Sequence, residues 1–192
     1  MVSKTLRSHP FLVHMAAFQS YSPSRAPNGE GRFLFGAKAK ARAEARARRE
    51  TLRIGMPRAL NMYSLGPLFS AYFESLGVPA GNLVWSDYTS EQLYREGAKR
   101  GAIDPCFPSK LGIPHVHNLL MTHHPKKKLD AIFFPMIDDL PSDLSGCQGH
   151  RACPTVTATP EAVKAAFTKE SDLFADLGIA YLDPLVRWAD GS

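Results

Sequence analysis

Short apolar runs, each closed by a proline or a polar turn and followed by a segment of helical periodicity, are what most limits how this chain can fold. Leu52 to Met56 (LRIGM) is a strand-length run ended by Pro57. From Met62 to Leu76, apolar residues recur at helical spacing and Gly77 supplies a stop, with Pro67 suited to the first turn of a helix starting near Ser64. Leu83 to Ser86 (LVWS) reads as a second, parallel strand that completes a right-handed βαβ unit. Ser90 to Ala98 reads as a short helix capped by Thr89 or Ser90, and Phe107 to Thr122 as a longer one carrying His115 and His117. Leu129 to Phe134 (LDAIFF) has the composition of a buried parallel strand, closed by Pro135. A helix over Pro160 to Leu177, with proline at its first position and Gly178 as its stop, leads to a last short strand at Ile179 to Leu182. This alternation implies an α/β fold with a doubly wound, mainly parallel sheet. Such sheets place ligands outside the carboxyl ends of their strands, where Asn61, Ser86, Asp87, Met136 and Asp138 stand.

A chain of 192 residues that is 44% hydrophobic can fill one core, which is expected within residues 52–192. Residues 1–36, with Ser, Pro, Gly and Arg and no acid before Glu30, read as a disordered leader outside the fold, a composition that equally suits a transit peptide or a misassigned start. Residues 37–51, around KAKARAEARARRE, read as a basic helical linker with no buried face. The end at Ser192 lacks a capping element and reads as a truncation within a longer protein. The net charge of +5 misleads, because ten of the 23 Lys and Arg but only three of the 18 acids lie in the first 50 residues. The remainder is nearly neutral and carries no nucleic-acid footprint. No apolar run approaches the length needed to span a membrane.

Three cysteines, an odd number, do not make a disulfide framework; they fit a reducing, cytoplasmic setting in which thiols serve metals or chemistry. Cys106 lies in GAIDPCFPSKLG, where Pro105 forces Asp104 out of helical geometry and Pro108 suits a first helical turn. A thiol at a helix start is favoured as thiolate, whereas the competing reading of a free cysteine is a small buried hydrophobe. Cys147 and Cys153 occupy the long connection from Met136 to Thr159, so all three sulfurs have the chance to converge at one edge of the sheet. The absence of a C-x-x-C pair argues against a zinc ribbon, while an iron–sulfur cluster tolerates ligands scattered along a chain.

Several long motifs, in order RIGMPRALNMYS, SDYTSEQLYREGAKRGAIDPCFPSKLG, HVHNLL with the following HH and KKK, IFFP and ACPTVTATPEAVKAAFTKE, resemble a domain attached to activators of 2-hydroxyacyl-CoA dehydratases. The resemblance covers about Leu52 to Pro184. It implies kinship with dehydratase subunits whose α/β domains hold a four-iron four-sulfur cluster through cysteines. It also implies acetate-kinase-like ATPase (activase) modules as partners, together with a dehydratase-like subunit. By position, Cys106 in DPCFPSK and Cys153 in ACPTVTATPE match the family's recurring cysteines; the third ligand is left to Cys147 or a cysteine beyond the end of this chain, or the iron site stays open for water or substrate. The implied function is an iron–sulfur domain that receives or relays a low-potential electron from an ATP-hydrolysing partner. No P-loop is present in this chain. Two rivals remain open: a non-catalytic interaction or scaffold module with structural or zinc-binding cysteines, and thiol redox chemistry at Cys106, disfavoured by the lack of a nearby resolving cysteine.

The remaining polar residues read more simply. His115 and His117, about 200° apart on a helix, are expected to be packed or capped side chains rather than joint ligands. His123, His124 and Lys126 to Lys128 read as a solvated helix end, and Lys110 as either a surface lysine or a partner for a thiolate. Asp104 reads as a cap, and Asp138, Asp139 and Asp143 as exposed loop acids.

Overall fold

The computed structural model describes residues 31–101, 103, 106–140 and 149–188. Residues 1–30 of the expected leader, Asp104, Pro105, Asp143 and Cys147 lie outside the described residues. Helix α1 (Gly31–Thr51) precedes strand β1 (Ile54–Met56), helix α2 (Met62–Ser75), strand β2 (Leu83–Trp85) and helix α3 (Glu91–Gly97). Next come α4 (Phe107–Lys110), α5 (Gly112–Asn118), β3 (Ala131–Phe133), β4 (Met136–Ile137), α6 (Pro154–Thr168), α7 (Leu173–Asp176), β5 (Ala180–Leu182) and β6 (Leu185–Val186).

Strands β2, β1, β3 and β5 form one parallel sheet in that order, with Ile54 opposite both Leu83 and Ala131, and Ala131 opposite Ala180. This is the α/β, parallel architecture that the alternating pattern implies. Both central strands are buried along their whole length, as a sheet covered on two faces requires. On one face, Phe133 meets Phe69 and Phe73 of α2 edge to face, each at 5.0 Å between ring centres. On the other, Gly55 leaves room for Leu119, Leu129 and Ile132, all within 3.3 Å of where a Cβ would stand. The chain turns one way from β1 to β2 and the other way from β2 to β3, so the carboxyl ends of β1 and β3 diverge at a topological switch point.

Four helix extents differ from the sequence expectations. Helix α2 starts at Met62, so Pro67 lies inside it rather than in its first turn; Pro67 is exposed, and so is Tyr63 one turn back, whose carbonyl gets no N–H from the proline. The segment after Cys106 is two helices hinged at Leu111 and ending in a π turn over Leu119–His123. The helix expected from Pro160 begins at Pro154, the residue that takes the first helical position, and Pro160 is buried within it. That helix ends at Thr168; α7 is separate, capped by Asp172 Oδ1 accepting from Ala175 N at 3.0 Å and stopped by Gly178 at φ +68°.

A second, two-stranded parallel sheet pairs β4 with β6, Met136 opposite Leu185. It explains two acids expected to be exposed. Asp138 Oδ2 accepts from Arg187 Nε at 2.7 Å, and buried Asp139 accepts through Oδ1 from Trp188 N at 2.6 Å, so both hold the end of β6 in place. From Lys40 to Glu50 the charged residues of α1 are exposed except Arg49, which is buried, and Asn82 Nδ2 donates to Glu50 O at 3.1 Å, docking the last turn onto the domain.

Candidate functional site

The loop Pro57–Asn61 leaves β1 at its carboxyl end and contributes to both crevices there. Leu60 adopts φ +52°, a left-handed conformation that a branched residue takes only when its surroundings impose it. Leu60 and Asn61 face Phe134 and Pro135 just after β3, Ile137 of β4, and Val156 and Pro160 of α6, across the switch point. The gap left there is about 10 Å3, no more than one water, so this crevice is closed by side chains.

Arg58, on the other side of the same loop, is fastened to the end of β2. Its backbone N donates to Ser86 Oγ at 2.8 Å and its Nε to Ser86 O at 2.7 Å, while its guanidinium lies 4.5 Å from the Tyr88 ring centre and 5.4 Å from that of Trp85. Ser86 Oγ is in turn 2.8 Å from His115 Nδ1, and His115 Nε2 is 3.0 Å from Thr89 Oγ1. One consistent set of donors runs from Arg58 N–H to Ser86, from the Ser86 hydroxyl to His115 Nδ1, and from Nε2–H to Thr89. Thr89 continues it to Tyr63 Oη at 3.3 Å.

His115 is fully buried, and its pKa falls to about 4, first through burial and second through the Arg58 charge, against the opposing pull of Asp87. The imidazole is therefore neutral at pH 7, with both nitrogens engaged: it positions the β2 loop and is not a free base. Beside it, Asp87 N donates to Asn118 Oδ1 at 3.0 Å, Asn118 Nδ2 returns a bond to Asp87 Oδ2 at 2.9 Å, and His123 Nε2 reaches Asp87 Oδ1 at 3.1 Å. The Asn118 bond is the main reason the Asp87 carboxyl is held below its usual range. His123 and His124 are thus not a plain solvated end; His124 is buried and its Nδ1 accepts from Leu129 N at 3.1 Å. His117 is half-buried, with its pKa lowered chiefly by burial.

Two of the three cysteines lie among the described residues. Cys153 is the residue before α6; its thiol is exposed, and the amides of Val156 and then Thr155 favour its thiolate and lower its pKa. Thr157 Oγ1 donates to Ile137 O at 2.9 Å and so ties this helix start to β4. Cys106 is half-buried ahead of the four-residue helix α4, which packs against α6. Cys147 lies outside the described residues, and among those described no group of three or more His, Cys, Asp or Glu is arranged to hold a metal. No described helix is long and apolar enough to cross a membrane.

Sequence reasoning places Ser86 and Asp87 at a strand end but misses Arg58 altogether. The available signal is position: Arg58 follows the strand-ending Pro57, at the edge where open parallel sheets gather their functional groups.

No curated protein and no solved structure matches the chain. Residues 53–192, nearly the whole folded region, match the model of one family, described as the CoA enzyme activase uncharacterised domain. With that match spanning the parallel sheet, the Arg58 loop and all three cysteines, the chain belongs to the CoA enzyme activase uncharacterised domain family.

Proposed function

We propose that this domain is the cysteine-bearing module of a 2-hydroxyacyl-CoA dehydratase and activase system, receiving or relaying a low-potential electron. Its partner is an acetate-kinase-like ATPase module, and a dehydratase-like subunit is the other natural neighbour. The observation that carries the reading is Cys153, an exposed thiol whose anionic form is favoured by two amides at the start of a 15-residue helix. A soft metal or an electron-transfer cluster takes thiolate ligands of this kind.

The described donor set fits such a cluster only in part. Cys106 and Cys153 would supply two sulfur ligands from just ahead of two helices that pack together, so a four-iron four-sulfur cluster needs further thiols from Cys147 or from a partner. Anaerobic incubation of the full chain with iron and sulfide, followed by absorption and EPR spectroscopy, tests the reading. The expected result is a cluster signal lost in Cys153→Ser and weakened in Cys106→Ser. Stoichiometric zinc without iron, retained through purification, would instead assign the cysteines a structural role in an interaction module.

A further inference from the structure

We propose that the cleft between β2 and the first turns of α2 binds an organic anion, a carboxylate or phosphate ester borne on a planar apolar body, with Arg58 as its charge partner. The cleft has a volume of about 320 Å3 and lies at the carboxyl ends of β1 and β2, the edge at which open parallel sheets receive ligands. That volume falls within the range of small-molecule sites.

Arg58 is prepared for such a ligand. Ser86 takes its Nε, and the guanidinium lies against the Tyr88 and Trp85 rings, so little side-chain freedom remains to be lost on binding. Its two terminal nitrogens have no hydrogen-bond acceptor among the described residues, and no acidic side chain lines the cleft. The nearby carboxylate, Asp87, is committed to Asn118 and His123, and His115 behind Ser86 is neutral. A guanidinium fork with its terminal nitrogens open matches two oxygens of a carboxylate or phosphate.

The walls specify the rest of the ligand. Trp85 packs closely on α2 where Gly66 has no side chain; a Cβ there would stand 3.0 Å from the indole. Met62 and Pro67 extend the apolar surface, and Tyr63 and Ser70 place hydroxyls at its rim. A small inorganic anion would leave these walls uncovered, whereas a ring attached to the anion would stack on the indole. No cysteine lines this cleft, so the inference stands apart from the cluster proposal.

Tryptophan fluorescence of the full chain carrying Trp188→Phe, which leaves Trp85 as the reporter, provides the test. AMP presents a phosphate ester on a purine and 3-phenylpropionate a carboxylate on a phenyl ring; inorganic phosphate and acetate present the charge without the body. Saturable quenching by AMP or by phenylpropionate, at least about tenfold tighter than by the bodiless anion of the same charge type, is expected. Which of the two saturates distinguishes phosphate from carboxylate. Arg58→Gln should weaken binding about ten- to a hundredfold, and Arg58→Lys should fall between, since it keeps the charge and loses the fork. Ser70→Leu, which fills the cleft from the surface of α2 and leaves the Arg58 contacts alone, should also abolish the response. No saturation by either compound at millimolar concentration, or unchanged affinity in folded Arg58→Gln or Ser70→Leu protein, overturns the proposal.

Discussion

Ser86 Oγ and His115 Nδ1 lie 2.8 Å apart and out of reach of solvent, so the end of β2 hangs on a histidine from α5. The same Ser86 oxygen accepts from Arg58 N at 2.8 Å, which makes one hydroxyl the junction of three elements. Ser86→Ala leaves an imidazole nitrogen and a backbone N–H without their partner. We expect a loss of about 1–3 kcal/mol in urea unfolding, with Ser86→Thr closer to the parent.

Acid should loosen the same junction. The unfolded chain's histidine titrates near 6.5 and buried His115 near 4, so between those values the unfolded state holds more protons and stability falls as pH is lowered. The contribution is fully present above about 6.5 and lost through about 4, amounting to roughly 3 kcal/mol for this side chain. Urea midpoints recorded from pH 7.5 to 4.5 should show the decline, and His115→Gln should flatten it; an equal slope in both proteins would rule His115 out as its source.

Cys153 should react ahead of Cys106. Its exposure and lowered pKa predict faster alkylation by iodoacetamide at pH 7 than a free model thiol shows, with a midpoint shifted to lower pH. Peptide mapping after brief labelling checks the order, and Cys106, half-buried, should trail.

A tighter constraint operates where α3 crosses α5. A Cβ added at Gly97 would stand 2.3 Å from Pro114 Cα, a backbone atom that has no rotamer by which to move aside. Gly97→Ala should therefore cost about 1–3 kcal/mol, despite the better helix propensity of alanine. Thermal melts of Gly97→Ala and of Gly81→Ala, whose Cβ would meet nothing within 4 Å, separate crowding from a general effect of glycine replacement.

The sheet was readable because each of its strands is an apolar run bounded by a breaker, as at Ile54–Met56 before Pro57 and Ala131–Phe133 before Pro135. Helix starts were harder to place. Pro154 and Pro160 are equally good first residues by propensity, and tertiary packing decides between them by burying Pro160 and letting Thr157 bond to Ile137 O. Strands β4 and β6 have two residues each, too few to show any period. The Arg58–Ser86–His115 network joins three distant segments, and periodicity carries no information about which polar groups will meet. His115 was rightly expected to be a packed side chain, yet its partners emerge only once the turn after β2 lies over α5.

The all-parallel register has a consequence for how the molecule comes into being. Ile54 on the central strand cannot find Ala131 until the intervening helices exist, and Ala131 must then wait for Ala180. No neighbouring pair in the main sheet can close as a local hairpin, so a nascent chain leaving the ribosome carries unpaired, water-averse ribbons until its last third has emerged. Slow maturation and reliance on chaperones during synthesis are the expected cost of gathering so many strand ends along one rim.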